Sequence, residues 1–305
     1  MLFKIKRALQ LRSFNRGVRQ VLHTPPVRHD PGSRVILVTQ IYPPDLLMYL
    51  VAVKTFTQYV RVRQCHVVSD RLSDSDKATI REHVPGCHIV DLPEVDTGGF
   101  PRGGTWERLL HIIDLAQDAY VIQLDADTLT VAPPSEVLEC IANNRSFTLG
   151  TWMGREITSA RAAQEQLAKL NSSDPHVQTV AELALHQLDD ENARYVRGNS
   201  AFAGFGAGQH DRAKLRRFSQ RMATLIGEKK WNEWGSEQVA SNFMVANAAG
   251  GYVLPFERYR YFSPLEAAEA KAAVLLHFIG THRFAGGVYR DMSRAHLRGG
   301  LVTQS

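Results

Sequence analysis

Short apolar, β-branched segments alternate with amphipathic segments over the first half of the chain. Segments at about 46–60, 75–83 and 105–116 carry apolar residues at spacings of three and four, which predicts helices. The intervening segments that read as strands are Arg34–Thr39, His66–Ser69, His88–Leu92 and Tyr120–Leu124. Alternation of this kind is typical of βαβ units, so the sequence predicts an α/β fold with a mostly parallel sheet and flanking helices.

The second half departs from this alternation. Two segments with helical periodicity, 155–170 and 175–188, predict a helical insertion over about 156–196, joined by Asn171, Ser172, Ser173 and Asp174. A glycine-rich segment (198–208), a helix over about 211–226 and a strand at Tyr252–Pro255 follow. Because no linker after residue 30 separates two parts, we predict one domain over 31–290, with an N-terminal segment and linker at 1–30 and a C-terminal tail at 291–305.

The positive charge of the chain is concentrated at its N-terminus. Residues 1–29 contain seven lysines and arginines and no acidic residue. These seven charges exceed the net charge of the whole chain, +5, by two, so residues 30–305 sum to −2. A nucleic-acid-binding domain carries its positive charge on its own folded face, and a nucleic-acid partner is therefore not expected.

Residues 1–22 are amphipathic if they form a helix. Phe14, Val18 and Val21 recur at spacings of three and four, with cations between them. Such a helix either packs on its own domain or a partner, or lies on an anionic membrane surface; the bulk of its first apolar residues favours the membrane. Those residues are Leu2, Phe3, Ile5 and Leu9. No segment approaches 18 uncharged apolar residues, so no membrane-spanning helix is predicted.

The cysteines bear on the cellular compartment. Cys65, Cys87 and Cys140 are odd in number, widely spaced and without a CxxC motif, which predicts neither a disulfide framework nor a zinc site. We expect a reducing, cytoplasmic setting, with peripheral attachment to the membrane face if residues 1–22 bind there.

A pair of carboxylates, Asp125 and Asp127, directly follows the fourth predicted strand. Ligands of open α/β sheets bind beyond the carboxyl ends of the strands. Two carboxylates one residue apart can reach one divalent cation, and Mg²⁺ or Mn²⁺ fills its other positions with diphosphate oxygens. The pair therefore predicts a cation site, unless it only caps a solvated turn. A phosphatase of the haloacid-dehalogenase type, with Asp125 as nucleophile, is an alternative, although that motif usually lies on the first strand.

Taken with the rest of the chain, LDADTLTV (124–131) resembles the DxD strand of glycosyltransferase family 8, a family of retaining enzymes with the GT-A (Rossmann-like) fold. Four further segments match in order, and the resemblance covers about residues 34–285. They are TWERLL (105–110), RGNSAFAGF (197–205), GSEQVASN (235–242) and LLHFIGTHRF (275–284). The resemblance implies that a sugar is transferred from a nucleotide-diphosphate sugar, expected to be a UDP-sugar, to an acceptor hydroxyl.

The resemblance also implies roles for individual residues. Asp125, Asp127 and His277 would hold Mn²⁺ or Mg²⁺, and Glu237 and Gln238 would act at the reacting sugar. Contacts to the donor are expected from Thr39, Tyr42, Arg108, Asp125, Ala126, Asn199, Gly280 and Arg283. The expected partners are the nucleotide-sugar donor and a glycan, glycolipid or protein acceptor.

The chain departs from the family pattern at several positions. Arg283 stands where the family has lysine, and Val239 replaces the second acid of its DQD motif. Phe284 and Ala285 replace a Pro-Trp pair. These departures leave open a second alternative, a sugar-nucleotide-binding protein without catalysis.

Three side chains near these motifs are given structural roles. Asp45, which follows the Pro43-Pro44 turn, is expected to cap the helix that begins at residue 46. Trp231 and Trp234 are expected to pack in the core rather than to stack on a sugar.

Overall fold

The computed structural model describes residues 2–170, 174–266 and 268–299, and all side chains within them except those of residues 2–4, 271 and 281. Asn171, Ser172 and Ser173 of the predicted insertion and residues 300–305 of the predicted tail lie outside the described residues.

Twelve strands are found in the described residues. They are β1 Val35–Ile41, β2 Gln64–Ser69, β3 His88–Asp91, β4 Tyr120–Leu124, β5 Thr128–Thr130, β6 Phe147–Leu149, β7 Thr158–Ser159, β8 Arg194–Tyr195, β9 Asn199–Phe205, β10 Tyr252–Leu254, β11 Tyr259–Tyr261 and β12 Leu275–His277.

The same residues contain eleven α-helices and several short 3₁₀ turns. The helices are α1 Leu2–Val18, α2 Leu46–Thr57, α3 Asp74–His83, α4 Trp106–Leu115, α5 Ser135–Ala142, α6 Ala160–Ala168, α7 Val177–Ala184, α8 Arg212–Ile226, α9 Glu228–Trp231, α10 Ser236–Ala246 and α11 Val288–Arg298.

Seven strands form the central sheet in the order β10-β6-β9-β4-β1-β2-β3. The pairs β1–β2, β2–β3 and β10–β6 are parallel, whereas β6 and β9 are antiparallel. The predicted fold class, α/β with a mostly parallel sheet and flanking helices, is confirmed. The predicted domain boundaries at 30 and 290 stay predictions.

The chain groups into two compact units. The first contains Met1–Leu92, Leu124–Ser135 and Glu257–Ser305, and the second contains Pro93–Gln123 and Glu136–Phe256.

In the first unit, a small three-stranded sheet joins distant segments. β5 pairs antiparallel with β12, so that His277 lies opposite Thr128, and β11 runs parallel to β12. β12 consists of the apolar Leu275 and Leu276 followed by His277, and all three are buried. This pairing brings the segment around residue 277 to the residues that follow β4.

Also in the first unit, α1 packs on α11. Phe14, Val18 and Val21 are buried, as their spacing predicts. The Phe14 ring lies 4.4 Å from the ring of Tyr289 on α11, centroid to centroid. Residues 291–298, which the sequence analysis assigned to a tail, form most of α11.

In the second unit, the predicted insertion consists of α6 and α7 framed by the antiparallel pair β7–β8. Both helices are shorter than the periodicity predicted. Ser159 caps α6 by accepting from the amide of Ala162. Helix α10 is buried over nearly its whole length, including Val239. Among the described residues, no helix is long and apolar enough to cross a membrane.

Candidate active site

The turn after β4 is held by backbone and hydroxyl contacts. The amide and the hydroxyl of Thr128 both donate to the carbonyl oxygen of Asp125, at 3.2 Å and 2.8 Å. The amide of Phe278 donates to the carbonyl oxygen of Asp127 at 2.9 Å. Because β5 then pairs with β12, the side chains of Asp125, Asp127 and His277 come together although they are far apart in the chain.

These three side chains fit a divalent cation. One ligand atom from each of Asp125, Asp127 and His277 lies within 4.8 Å of the others. Mg²⁺ binds its ligands at 2.0–2.1 Å, so two ligands on opposite sides of it are about 4.2 Å apart, and small side-chain movements would close the site. The imidazole Nδ1 of His277 is buried without a hydrogen-bond partner among the described residues. Two carboxylates and an imidazole are a donor set that suits a divalent cation.

Asp127 is buried between two basic groups. Its Oδ1 lies 3.3 Å from Nε2 of His277, and its Oδ2 lies 2.6 Å from a terminal nitrogen of Arg283. Burial acts to raise the pKa of Asp127, but His277 and Arg283 outweigh it and lower the pKa to about 2. The carboxylate is therefore ionised at neutral pH, as a metal ligand must be.

Asp45 joins this site, which the sequence analysis did not foresee. Asp45 occupies the N-cap position of α2 as predicted, but its side chain makes no capping hydrogen bond; its Oδ1 instead lies 3.8 Å from the guanidinium of Arg283. Burial, together with the nearby Asp127 and Asp125, raises the pKa of Asp45 to about 7 against the opposing effect of Arg283. The only sequence signal is the position of Asp45 after the turn that ends β1.

The other donor candidates of the first unit differ in exposure. Thr39 is buried, and its hydroxyl has no hydrogen-bond partner among the described residues, whereas Tyr42 is exposed. The carbonyl oxygen of Ala126 accepts from the hydroxyl of Tyr289 at 3.4 Å. Gly280 has a left-handed φ of +55°, and a Cβ there would meet no atom within 4 Å, so glycine is favoured by the backbone and the space beside it is open.

In the second unit, Glu237 is the centre of another buried cluster. Its Oε2 accepts from the hydroxyls of Thr105 (2.8 Å) and Ser200 (3.4 Å). Its Oε1 lies 3.6 Å from a terminal nitrogen of Arg108, and both side chains are buried. Arg108 and Glu237, predicted to lie at the donor, are thus brought together as an ion pair. Thr105, which has a left-handed φ of +75° before α4, was missed by the sequence analysis.

Gln238 is held by a chain of side chains from the insertion. Its Oε1 accepts from the amide of Ser200 (3.3 Å), and its Nε2 donates to Oε1 of Gln178 on α7 (2.8 Å). Nε2 of Gln178 donates to Oε1 of Glu182, one turn later, at 2.9 Å. The carboxylate of Glu182 also accepts from Tyr195 and Arg197. We call this chain from Glu182 through Gln178 to Gln238 the amide relay; only the spacing of Gln178 and Glu182 in sequence hinted at it.

The remaining predicted residues in the second unit have mixed outcomes. Asn199 is buried, and its Oδ1 accepts from the amide of Ala201 at 2.9 Å, so that oxygen is already used within the fold. Trp231 is 1% exposed, which confirms its predicted place in the core. Trp234 is 71% exposed, so its predicted place in the core is wrong.

Comparisons with known proteins agree with the fold. No protein-family model and no curated protein sequence matches the chain. Among solved structures, the galactosyltransferase LgtC in complex with donor and acceptor sugar analogues is similar, with a TM-score of 0.50 and 11% identity over 88% of this chain and 97% of that one. An active-site mutant of LgtC that carries glutamate in place of a glutamine gives a TM-score of 0.52 and 12% identity over the same shares. The likeness shows that this chain has the GT-A fold.

Proposed function

We propose that the protein is a metal-dependent glycosyltransferase that moves a sugar from a nucleotide-diphosphate sugar, expected to be a UDP-sugar, to an acceptor hydroxyl with retention. The observation that carries the proposal is the convergence of Asp125 and Asp127 with His277 from a segment roughly 150 residues away. A turn that only needed capping would not require a buried imidazole from a distant strand. The fold and the order of the family 8-like motifs add support.

The diphosphate end of the proposed donor lies at the first cluster. Asp125, Asp127 and His277 would hold Mn²⁺ or Mg²⁺, which when bound withdraws charge from the diphosphate as a Lewis acid. Arg283 keeps positive charge beside Asp127 and is already oriented by its Nε, which donates to the carbonyl oxygen of Phe278 at 3.2 Å. A preorganised cation of this kind stabilises negative charge that develops on a leaving group. Thr39, Tyr42, Ala126 and Gly280 are the further proposed donor contacts in this unit.

The sugar end is assigned to Glu237 and Gln238, with Arg108 and Asn199 as neighbouring contacts. An amide is a poor nucleophile, so Gln238 would orient the sugar rather than form a covalent intermediate. In the proposed step, the bond from the anomeric carbon to the phosphate oxygen breaks, and a bond to the acceptor oxygen forms on the same face. The acceptor's proton passes to the departing diphosphate. The glutamine named in the active-site mutant of LgtC supports a role for an amide in such a site.

The acceptor is proposed to be a glycan, a glycolipid or a protein hydroxyl, and the protein to act in the cytoplasm or on the cytoplasmic membrane face. The free, buried cysteines Cys65, Cys87 and Cys140 support a reducing compartment. The phosphatase alternative loses its support because the fold is GT-A and the carboxylate pair follows the fourth strand.

The decisive experiment measures nucleotide release from a panel of nucleotide sugars, with and without an acceptor, in Mn²⁺ and in EDTA. We expect turnover in Mn²⁺, loss in EDTA and recovery when Mn²⁺ is restored. Loss of an outer-sphere partner of a metal lowers activity roughly 10–100-fold. Because Asp127 is a proposed ligand of the cation itself, Asp127→Asn should lower activity by more than this. Asp70→Asn, which removes a half-buried carboxylate paired with the exposed Arg71, is the matched control and should retain activity.

Three results would contradict the proposal. Full turnover in EDTA would remove the metal from the mechanism. Hydrolysis of a phosphomonoester with phosphorylation at Asp125 would favour the phosphatase. Thermal stabilisation by a nucleotide sugar that is not consumed with any acceptor tried would favour the non-catalytic binding protein. That alternative stands because the buried Val239 occupies the position of an acid in the motif.

A further inference from the structure

Two adjoining hollows lie between α1 and α11, and none of the residues that line them is assigned to the donor or the cation. The first, the basic hollow, has a volume of about 380 Å³ and is lined chiefly by Arg16, Arg290, Arg294 and Arg298. The second, the apolar hollow, has a volume of about 250 Å³ and is lined by Phe14, Phe284, Gly286 and Gly287. Ser13 and Arg290 line both, so a single elongated ligand could occupy the two together.

The basic hollow retains most of its positive charge. Helix α1 contains no acidic residue, and the one acidic residue of α11, Asp291, is paired with Arg290 at 2.8 Å. None of the described residues forms an ion pair with Arg16 or Arg298. Clustered like charges cost stability unless a counter-charge is supplied, so the hollow is suited to an anion with more than one negative oxygen.

Helices α1 and α11 approach each other closely at Gly17. A Cβ there would lie 2.4 Å from Cγ of Arg290 and 3.3 Å from Cδ of Arg294. The aliphatic stems of these arginines therefore cross α1 at the one residue that lacks a side chain. The guanidinium of Arg290 is fixed further by donation to the hydroxyl of Ser13 at 3.0 Å. Any larger residue at position 17 would displace the stems and alter the basic hollow.

The exposed face of α1 carries apolar residues that are followed along the helix by arginines. Ile5 and Leu9 are 52% and 57% exposed, and Arg12 and Arg16, also exposed, follow at helical spacing on the same face. Exposed bulky aliphatic side chains beside a row of cations are typical of helices that lie in the headgroup region of a membrane. The apolar residues would enter the acyl boundary, and the arginines would remain at the level of the phosphates.

We infer that the α1–α11 groove binds an anionic phospholipid of a membrane surface, with the phosphate in the basic hollow and the start of an acyl chain in the apolar hollow. The sequence alone pointed only to residues 1–22; three arginines of the groove come from α11. The inference does not depend on the proposed transferase activity, because it uses none of the residues assigned to the donor, the cation or the acceptor.

The test measures partition of the full-length protein onto vesicles of phosphatidylcholine with and without 30% phosphatidylglycerol, by flotation. We expect binding only to the anionic vesicles, and weaker binding as NaCl is raised. The double variant Arg16→Gln/Arg298→Gln should lower the partition coefficient roughly 30-fold, because each cation near an anionic surface contributes on the order of 1 kcal/mol. The matched control, Arg61→Gln/Arg81→Gln, removes the same charge from exposed sites elsewhere in the first unit and should stay within about twofold of wild type. Equal binding by the two double variants would overturn the inference.

A second arm separates a lipid from a free phosphate. Submicellar dihexanoyl phosphatidic acid should raise the unfolding temperature at a concentration at least about tenfold below that needed for inorganic phosphate, because only the lipid fills the apolar hollow. Similar potency of the two ligands would show that the groove is only an anion site and would overturn the lipid assignment. Melting curves without ligand confirm that each variant is folded, and turnover of a nucleotide sugar by Arg16→Gln/Arg298→Gln is expected to match wild type.

Discussion

The contacts of Arg283 explain why an arginine suits this position better than a lysine. Its guanidinium reaches Asp127 at 2.6 Å and Asp45 at 3.8 Å through different nitrogens, and its Nε donates to the carbonyl oxygen of Phe278. A planar fork can serve three partners at once, whereas a lysine ammonium is a point charge on a flexible stem. Asp45, with which it shares the site, therefore explains why an arginine rather than a lysine stands at this position.

At the same scale, the amide relay predicts a positioning role for Glu182. A carboxylate can only accept hydrogen bonds, so it fixes the Nε2 of Gln178 towards itself and leaves Oε1 for Nε2 of Gln238. The Oε1 of Gln238 is thereby directed to Ser200. In Glu182→Gln the new amide can donate as well as accept, so the orientation of Gln178 is no longer determined.

We expect Glu182→Gln to lower kcat about 10- to 100-fold with a much smaller change in KM for the donor, because misplacement of a positioning group by a fraction of an ångström mainly affects the transition state. Steady-state kinetics against donor concentration test this. Glu165→Gln, the same exchange at an exposed site on α6, is the control and should behave as wild type. If Glu182→Gln lowers only the unfolding temperature and leaves kcat of the folded protein unchanged, Glu182 is structural and the relay has no catalytic role.

The roles of residues that belong to a local sequence motif could be predicted. The roles of residues that depend on tertiary contacts could not. Asp127 follows β4 and His277 ends β12, both within recognisable motifs, and the structure brings them together as expected. Asp45 was assigned to a helix cap because the local sequence fits one, yet its side chain lies near the half-buried guanidinium of Arg283 instead. Trp234 was assigned to the core because aromatic side chains usually pack there, but it lies in the loop before α10 and is 71% exposed.

At the scale of elements, length and location decided what could be predicted from sequence. The long strand β1 carries enough consecutive apolar residues to be recognised, whereas β9, which is equally long, lies in a segment that was described only as rich in glycine. Strand β10 has only three residues and was still predicted, but β5, β6 and β11 are too short for any period to appear, and their pairing involves residues far apart in the chain. The α11 segment was read as a tail because its buried positions, Tyr289, Ser293 and Leu297, are few among many charges.

The aromatic contacts of α1 make a prediction about stability. Phe14 is 1% exposed and its ring lies against Tyr289 and Phe284, at centroid distances of 4.4 Å and 5.6 Å. Phe14→Ala should lower the free energy of unfolding by about 3–5 kcal/mol, because it leaves a cavity in addition to the lost burial. Urea denaturation followed by circular dichroism measures the change.

Leu9→Ala is the matched control on the same helix. Leu9 is 57% exposed, so its truncation should change the free energy of unfolding by no more than about 0.5 kcal/mol in the absence of lipid. Equal effects of the two substitutions would mean that α1 does not dock on α11 through Phe14, and the groove between these helices would lose its basis.

At the scale of the whole molecule, the order of segments along the chain matters for the cation site. The first unit is assembled from three separate segments, and the second unit is formed largely by the residues between them. Asp125 and Asp127 belong to the middle segment, whereas His277 and Arg283 belong to the last. Alternation of strands and helices predicted the α/β class correctly, but it carried no information on this division, since contacts between distant segments leave no periodic trace in sequence.

This organisation links the cation to the stability of the folded chain. Ligands roughly 150 residues apart form no site in the unfolded chain, so the cation binds the folded state almost exclusively. Mn²⁺ at 100 times its dissociation constant should therefore add about 2.7 kcal/mol to the free energy of unfolding. His277→Ala should largely abolish the rise in unfolding temperature caused by Mn²⁺, whereas His282→Ala, which removes an exposed imidazole five residues away, should keep it. Differential scanning fluorimetry across a Mn²⁺ titration distinguishes the two. An equal rise in both variants would mean that the stabilising ion binds elsewhere, and the convergence of residues 125, 127 and 277 would then no longer support a metal-dependent transferase.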